Sequence, residues 1–574
     1  MKNKLIFFLI CTIAAVLTSA QTPQLQWAKS MGGTSYGTGN GITIDKQGNT
    51  YTTGYFEKTV DFDPGAAVYS LSAKGAEDIF ISKLDAGGNF VWVKQVGGLS
   101  LESYKECGYD IDLDGNGNVY VTGYFIETVD FDPGAGIYNL TSFGGEDIFL
   151  LKLDANGNFV SVKQMGGKSD DYAKNSFLDK SGNIFTTGGF MDTADFDPGT
   201  GVYQLTSAGS YDIFVSKLDA AGNFVWVRHV GGSEPDGPKS IAVDDLGNVY
   251  FTGFFQDTVD FDPGVAKFLI PAFGAELDIF VAKLDSSGNY VWAKQMGGQS
   301  RDYPNRMGLD AAGNVYVAGV YFSLADFDPG PGNVNLSSAG YYDVFIMKLN
   351  GSGNLMWAKS LGGIGNDFAH GFHVDASGNA FVIGNFQYIS DFDPDPLVNF
   401  VLTSKGGYDM YIAKLDSLGK FVWAKQFGGT GFEAGICTVT DTAGNIYASG
   451  NFMGTCDFDP NAGTSNLTSS SDGDIFVLKL NLSLVGIESI NDSKQTFFNL
   501  YPNPTRGILN VEADELNGGV FDIQIMNLMG QVLMEKTALT ANSMIDIQQL
   551  SAGLYAVKIT GGNWILGVYR ITKL

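Results

Sequence analysis

The chain has 574 residues and a formal net charge of −27, and 44% of its residues are hydrophobic, 13% aromatic and 17% charged. This length exceeds one ordinary domain, so the sequence holds either several domains or one large repeat architecture. The apolar content excludes a disordered chain. The negative charge argues against nucleic acid and anionic membranes as partners.

Residues 1–20 have the pattern of a secretory signal peptide. Lys2 and Lys4 precede an apolar run over residues 5–17, and small residues follow up to Ala20. The run is shorter than the ~20 residues of a membrane span, and no comparable run follows it. The sequence therefore predicts an exported protein with no membrane span in its mature form.

A repeat dominates residues 21–481. The string Asp-Phe-Asp-Pro occurs seven times, at intervals of 65 to 69 residues. Each unit contains four strand-like runs, A to D, which in one unit cover 240–244, 248–255, 278–284 and 289–295. Runs A and B, and usually C and D, are joined by Asp-x-x-Gly-Asn, which is typical of a hairpin turn because Gly supplies the positive φ.

Four antiparallel strands per unit predict a β-propeller, because each small sheet buries both faces only against its neighbours. The first unit begins with a D-like run at Trp27, and the repeat stops after a C-like run at Asp474. A strand over residues 24–29 is therefore predicted to complete the last sheet and close the ring. The predicted fold class is all-β, with a closed seven-bladed β-propeller of four-stranded blades followed by a small C-terminal β-sandwich.

The repeated strings resemble a known family. Gly-Asn-Val-Tyr-Val-Thr-Gly at 117–123 and Asp-Ile-Phe-Val-x-Lys-Leu-Asp at 212–219 are similar to the SBBP bacterial propeller repeat, and the resemblance extends over about 23–481. It implies the propeller fold and no single activity. The Asp-Phe-Asp-Pro-Gly element extends the shorter Asp-Phe-Pro pattern of that family.

Residues 482–499 are predicted to form a linker, and residues 500–574 a second domain. Tyr-Pro-Asn-Pro-Thr-Arg-Gly at 501–507, Gly-Leu-Tyr-Ala-Val-Lys-Ile at 553–559 and the terminal Lys573-Leu574 resemble the type A sorting domain of type IX secretion. Alternating runs such as 521–526 favour a sandwich. The resemblance implies the type IX machinery as a partner and a secreted, extracellular or outer cell-surface location.

The Asp-Phe-Asp pairs are the candidate metal ligands. Residues two apart on an extended segment point the same way, and calcium favours oxygen-rich sites. The second Asp also precedes Pro, as in the first position of a Pro-centred turn. We favour the turn and keep calcium open as a cofactor. The candidate ligands are Asp61, Asp63, Asp130, Asp132, Asp195, Asp197, Asp260, Asp262, Asp326, Asp328, Asp391, Asp393, Asp457 and Asp459.

Three other motifs suggest chemistry. Residues 33–37 match Gly-x-Ser-x-Gly, but that motif requires a strand-to-helix turn. His370 and His373 have the spacing of a metal pair but no apparent third ligand nearby, so we expect a structural role. Residues 112–118 resemble half of a calcium loop without the final Glu, and a turn is the favoured interpretation.

Ligand-binding residues are expected on the long-loop face. If run A is innermost, the B–C connections and the D–A loops emerge together, and binding groups usually sit on long loops held by a rigid scaffold. The predicted rim aromatics, which are equally compatible with packing, are Tyr55, Tyr124, Phe190, Phe254, Tyr321, Phe386 and Phe452.

The sequence favours a non-catalytic binding or interaction module for a glycan, a protein or the matrix. A polysaccharide-active propeller enzyme and a structural surface or gliding-associated component are the alternatives. Catalysis would require an acid and a base that stand out in one blade. The sequence gives no such pair, so enzymatic activity stays open and its absence is favoured.

Overall fold

The computed structural model describes residues 21–100, 106–274, 276–484, 498–503, 505–513, 520–526, 532–540, 542–551, 553–561 and 564–573. The predicted signal peptide and most of the predicted linker lie outside the described residues. Two compact units are present, Pro23–Asn481 and one that contains Leu482–Leu574. The described residues form strands and turns without a helix, which confirms the all-β fold class.

Each sequence unit forms an antiparallel sheet with the strand order A–B–C–D. The A strands are Gly37–Ile44, Cys107–Leu113, Asp171–Leu178, Gly237–Val243, Tyr303–Leu309, Asp367–Val374 and Glu433–Thr440. The B strands are Thr50–Asp61, Val119–Phe125, Ile184–Phe190, Val249–Phe255, Val315–Asp326, Ala380–Phe386 and Ile446–Phe452. The C strands are Ser70–Leu84, Asp147–Leu153, Asp212–Leu218, Asp278–Leu284, Asn335–Leu349, Asp409–Leu415 and Asp474–Leu484. The D strands are Phe90–Gly98, Phe159–Gly167, Phe224–Val230, Tyr290–Gly298, Leu355–Gly363, Phe421–Gly429 and the N-terminal Gln21–Gly33.

The hairpin turns are built as the sequence predicts. The Asp244 carboxylate accepts the backbone N–H groups of Leu246 and Asn248, both at 2.9 Å. Gly247 has a φ of 79°, which a residue with a Cβ rarely adopts. The same Asx-type turn recurs along the repeat, and it fixes the register of each A–B hairpin.

Short strand pairs flank the Asp-Phe-Asp-Pro loops. They are Thr128–Asp130 with Asn139–Thr141, Thr193–Asp195 with Gln204–Thr206, Thr258–Asp260 with Leu269–Pro271, Ile389–Asp391 with Val401–Thr403 and Thr455–Asp457 with Asn466–Thr468. In the remaining units the long B and C strands continue through this region. The loop is therefore a small hairpin at the end of each sheet.

The core lies between successive units. One cluster joins Phe185 and Val215 of one unit to Ile241 and Phe251 of the next, and all four side chains are nearly or fully buried. The Asp212–Leu218 strand is buried at six of its seven positions, so both of its faces are covered. Because each unit buries its apolar faces against its neighbours, the repeats are propeller-like.

The A strands lie beside one another and share a β-bulge. Each is interrupted at the same point of its pairing with strand B, for example between Ala173 and Asn175. Side chains link neighbouring A strands, since Asn175 Nδ2 donates to Asp110 Oδ2 at 2.7 Å and Ser240 Oγ donates to Asn175 Oδ1 at 3.0 Å. The bulge residues are Asn40, Tyr109, Lys174, Lys239, Asn305, His370 and Ile436.

The second unit has two sheets around one core. Phe498–Tyr501, Ile508–Ala513 and Ser543–Asp546 form the first sheet, and Val532–Leu539, Phe521–Met526, Gly553–Gly561 and Trp564–Lys573 form the second. Residues such as Val511 of the first sheet and Ile523 of the second are fully buried in the same cluster. This packing of two small sheets is a β-sandwich.

Candidate functional site

Each Asp-Phe-Asp-Pro loop is folded by its own carboxylates. In the fourth unit Asp260 accepts the N–H groups of Asp262 at 3.2 Å and Phe268 at 2.9 Å, and Asp262 accepts the N–H of Gly264 at 2.8 Å. Equivalent bonds recur in the other copies. These carboxylates serve the turn that the Pro position predicts.

The Phe of the loop is an anchor in the core. Phe261 is 0% exposed and packs edge-to-face on Phe255 at 5.4 Å between ring centroids. The main chain of Asp260 pairs with Gly231, the residue that follows the preceding D strand. The motif thus ties its loop to the core of its own unit and to the sheet of the previous one.

The loop carboxylates accept the hydrogen bonds of a turn, and calcium binding by them stays a prediction. Calcium takes six to eight oxygen ligands, whereas each loop offers two carboxylates, and one oxygen of each already accepts amide N–H groups. Among the described residues no group of three or more His, Cys, Asp or Glu side chains could hold a metal ion. Asp114 of the half calcium loop likewise accepts the N–H groups of Asn116 and Asn118.

Four of the predicted rim aromatics lie in the core. Phe190, Tyr321, Phe386 and Phe452 are 0% exposed, and each ring contacts the Phe of its own Asp-Phe-Asp-Pro loop at 5.3 to 5.5 Å. They occupy the next position along strand B from Tyr55, Tyr124 and Phe254, and alternate residues of a strand point to opposite faces. The structure therefore corrects their predicted place at a ligand rim.

The other three predicted rim aromatics contact rings at the start of neighbouring A strands. Tyr55 lies 6.1 Å from Tyr36, whereas Tyr124 is buried and lies 5.6 Å from Tyr109. Phe254 is partly exposed and contacts the next unit. Their role in binding stays a prediction.

A continuous row of rings crosses three neighbouring units. Phe254 contacts Tyr303 at 5.4 Å, Tyr303 contacts Tyr342 at 6.4 Å, Tyr342 contacts Phe368 at 6.0 Å, and Phe368 contacts Tyr408 at 6.2 Å. All five are partly exposed. We call these five residues the aromatic arc. Four of them were not predicted from the sequence. The positions of Tyr342 and Tyr408 before strand C, and of Tyr303 and Phe368 near the start of strand A, hold no aromatic residue in several units.

Three cations converge on neighbouring A strands beside the arc. Lys174 and Lys239 occupy bulge positions and Arg306 follows a third bulge. Burial, with smaller contributions from the charges of Lys239 and Arg306, lowers the pKa of Lys174 to about 7. Burial and the Arg306 charge lower the pKa of Lys239 to about 8. We call these three residues the cation cluster.

Arg306 reaches an acid on a distant A strand. Its guanidinium lies 4.0 Å from Asp110, although two other A strands separate them in sequence. Ser176 Oγ lies 3.2 Å from the Asp110 carboxylate and 3.5 Å from that of Asp112. Burial and the charge of Asp110 raise the pKa of Asp112 well above its ordinary value.

His370 faces the arc, and its environment favours the neutral form. It stacks on Phe368 at 5.8 Å, and its Nε2 is 3.1 Å from Asn385 Oδ1. Burial lowers the pKa of both His370 and His373 to about 4. No third metal-type side chain joins them among the residues that the structure describes.

Pairs of buried carboxyl groups lie where neighbouring units meet. Asp302 is 0% exposed and accepts the N–H of Gly298 at 2.9 Å, while Asp278 of the previous unit accepts Gln295 Nε2 at 2.7 Å. Burial raises the pKa of Asp302 to about 8 and that of Asp278 to about 6. The equivalent pairs are Asp78 with Glu106, Asp147 with Asp171, Asp212 with Asp236, Asp343 with Asp367 and Asp409 with Glu433.

These features define an exported β-propeller-repeat protein with a separate sorting domain. The model of the secretion system C-terminal sorting domain matches residues 499–566, and that of the SBBP beta-propeller repeat matches residues 225–253 and 291–320. The predicted resemblances are confirmed. A sorting domain of this type directs the protein through the type IX system to the cell surface or the extracellular space. In the described residues no helix could cross a membrane.

Two relatives share limited sequence similarity. An uncharacterized WD repeat-containing protein of Acanthamoeba polyphaga mimivirus is 22% identical over 508 residues, which cover 74% of this chain and 36% of the relative. The regulatory protein FlaEY of Caulobacter vibrioides is 24% identical over 173 residues, which cover 29% of this chain and 18% of FlaEY. The chain thus spans about a third or less of either relative's length.

Solved structures show a weak likeness. The extracellular domain of a hybrid two component system from B. thetaiotaomicron has 13% identity and a TM-score of 0.22, with 94% of this chain and 75% of that chain covered. A protein of unknown function from Bacteroides caccae has 12% identity and a TM-score of 0.21, with 48% and 89% covered. Scores this low carry no structural inference.

Proposed function

We propose that the seven sequence units are the blades of one closed propeller over residues 21–481, joined by a linker at 482–499 to a sorting domain at 500–574. Each A strand contacts the next, and Glu433–Thr440 contacts Gly37–Ile44. The N-terminal strand lies beside Asp474–Leu484 in one sheet. The Arg306–Asp110 contact then spans a central channel lined by the A strands.

We further propose that the propeller is a non-catalytic binding module outside the cell. The observation that carries this proposal is the aromatic arc. Its rings are partly exposed, run through three units and lie beside the polar residues of the A-strand bulges. Aromatic walls with a few convergent polar groups are typical of ligand sites, and glycans are the ligand class that we favour.

The carboxyl pairs between units support binding over catalysis. Asp278 is 1% exposed and Asp302 is 0% exposed, so neither can contact a polysaccharide. A glycosidase needs one acid and one nucleophile or base in a single open site. Pairs that recur at several junctions serve the assembly of the sheets.

A glycan array probed with the purified protein tests this function. We expect selective binding that Tyr342→Ala and Tyr408→Ala weaken at least about tenfold, because stacking on the arc is lost. Tyr203→Ala is the matched control, since Tyr203 is 42% exposed, contacts Phe224 in a tilted pair and is not part of the arc. Equal loss in all three variants, or no binding to any glycan or matrix protein, would refute the proposal.

A polysaccharide-active enzyme is the second candidate, and one observation favours it. Asp110 and Asp112 share the Ser176 hydroxyl and belong to a single unit, and burial together with the Asp110 charge raises the pKa of Asp112, as an acid catalyst requires. Incubation with a panel of polysaccharides would detect new reducing ends. If the wild-type protein releases reducing ends and Asp112→Asn abolishes that release, the protein is an enzyme and the binding-only proposal is overturned.

A further inference from the structure

We propose that the channel mouth binds a saccharide that carries a carboxylate or a sulfate group. The aromatic arc would stack on its sugar rings, and the cation cluster would hold its anionic group. This inference rests on the proposed binding function and names the class of its ligand.

The cation cluster is a local concentration of positive charge in a molecule whose net charge is strongly negative. The chain has a net charge of −27, yet three neighbouring A strands place Lys174, Lys239 and Arg306 together. Within the described residues the cluster forms one ion pair, between Arg306 and Asp110 at 4.0 Å, and the charge of Arg306 also acts on Asp112. Lys174 instead lies 3.6 Å from the centre of the Tyr109 ring, and Lys239 donates to Asn305 Oδ1 at 3.3 Å.

An anion would relieve an electrostatic cost. Partly buried ammonium groups lose hydration, and like charges near each other repel, unless an opposite charge joins them. The lowered pKa values of Lys174 and Lys239 have these two causes. A bound carboxylate or sulfate would pair with both ammonium groups, and its charge-assisted hydrogen bonds would be strong at this depth.

The cluster and the arc form one surface. Lys239 Nζ lies 5.7 Å from the centre of the Phe254 ring and 5.9 Å from that of Tyr303. A pyranose has an apolar C–H face that packs on such rings, while a carboxylate or sulfate at its edge reaches a neighbouring cation. The spacing therefore matches an acidic sugar better than a neutral sugar or a free inorganic anion.

The fold repeats seven times, but the cation cluster occurs at one place in it. The bulge positions of the other units hold Asn40, Tyr109, His370 and Ile436, and the environment of His370 favours its neutral form. Only the third to fifth units therefore present cations at the channel wall among the described A strands. This asymmetry is what recognition of one glycan end requires.

Calorimetry on the mature protein tests the inference with three tetrasaccharides: oligogalacturonate, a sulfated oligogalactose and neutral oligogalactose. We expect at least one acidic probe to bind at least about tenfold more tightly than the neutral one. The double variant Lys174→Met/Lys239→Met should lose this preference and keep the neutral affinity. Lys180→Met is the matched control, because Lys180 is exposed and pairs with Asp245 on the surface.

Thermal unfolding of each variant checks its fold, and loss of a partly buried charge should leave the midpoint unchanged or higher. The salt dependence of binding can be measured on the wild-type protein alone. Its preference for the acidic probes over the neutral probe should fall as sodium chloride is added. Equal affinity for acidic and neutral probes overturns the inference and leaves the proposed function standing. Inorganic sulfate that binds as tightly as the sulfated sugar also overturns it, and no binding to any glycan overturns both.

Discussion

The first Asp of each Asp-Phe-Asp-Pro element accepts two backbone N–H groups from its own loop. In the fourth unit these belong to Asp262 and to Phe268, which is eight residues from Asp260. A carboxylate is a stronger acceptor than a neutral oxygen, so it closes a long loop that offers few ladder bonds. This acid therefore recurs because it accepts hydrogen bonds from backbone N–H groups that the loop would otherwise leave without an acceptor.

The first prediction separates this role from calcium binding. A site with a dissociation constant of about 1 mM would stabilise the propeller by about 1.4 kcal/mol at about 10 mM calcium. We expect no such gain in denaturant unfolding of the wild-type protein. The free energy of unfolding of the Asp260→Asn/Asp262→Asn variant should be lower by about 1 kcal/mol with or without calcium, because neutral oxygens accept hydrogen bonds from amide N–H groups less strongly.

Asp245→Asn is the control for this experiment, since it removes a charge from an exposed side chain of the same unit. Its stability should match that of the wild type within about 0.5 kcal/mol. A calcium-dependent rise in the wild type that the double variant lacks would contradict the turn interpretation.

At the scale of the strand, regular turns made much of the fold predictable. The predicted run 278–284 coincides with Asp278–Leu284, and the run 289–295 lies mostly within Tyr290–Gly298. The short strands Thr258–Asp260 and Leu269–Pro271 were missed because three residues carry too little alternation to stand out. The bulges were missed because their positions hold side chains of every type.

The site was harder to predict than the strands. A repeat draws attention to positions that recur, and this emphasis selected Phe386 and Phe452, which pack in the core. The cation cluster combines Lys174 and Lys239 with Arg306, which lies one position beyond its bulge. Only the arrangement of the A strands brings these three residues together.

The second prediction concerns the buried carboxyl pairs. Burial raises the pKa of Asp302 to about 8, so this group favours folding fully below its ordinary pKa of 3.8 and loses that contribution as the pH rises through about 8. Asp302→Asn cannot ionise. Between pH 5 and 7.5 the unfolding free energy of the wild type should therefore fall faster than that of the variant, by up to about 1.4 kcal/mol per pH unit.

Comparison of the two slopes isolates the Asp278–Asp302 pair, because the titration of His370, His373, Lys174 and Lys239 affects both proteins alike. Urea unfolding at several pH values gives each slope. Asp245→Asn, which removes an exposed carboxylate, should keep the wild-type slope. Parallel lines for wild type and Asp302→Asn would show that Asp302 ionises inside the folded protein.

At the scale of the whole molecule, the sorting domain is expected to act as a transferable address. It has its own two sheets and its own core, which includes Leu509 and Val557. A reporter that carries a signal peptide and ends with residues 500–574 should reach the outside of a cell with type IX secretion. Fractionation measures this, and a reporter held in the periplasm would count against the assignment.

The last prediction concerns closure of the ring by the N-terminal strand. Trp27 Nε1 donates to Ala86 O at 3.1 Å, and Trp292 of an internal D strand makes the equivalent bond to Gly351 O at 3.3 Å. Ser30 Oγ also donates to Asp474 Oδ2 at 3.2 Å. If the N-terminal strand is a full member of the last sheet, Trp27 contributes as much to the stability of the propeller as a Trp of an internal D strand.

We therefore expect Trp27→Ala and Trp292→Ala to lower the free energy of unfolding by the same amount, about 3 kcal/mol each, because both remove a large packed ring and one hydrogen bond. Deletion of residues 24–29 should lower the midpoint of the whole propeller by on the order of 10 °C in one transition, since the open ring exposes the edges of two sheets. Calorimetry of the mature protein and the three variants measures all of these effects. A deletion that leaves the midpoint unchanged, or a Trp27→Ala cost far below that of Trp292→Ala, would mean that the ring is stable without its closing strand.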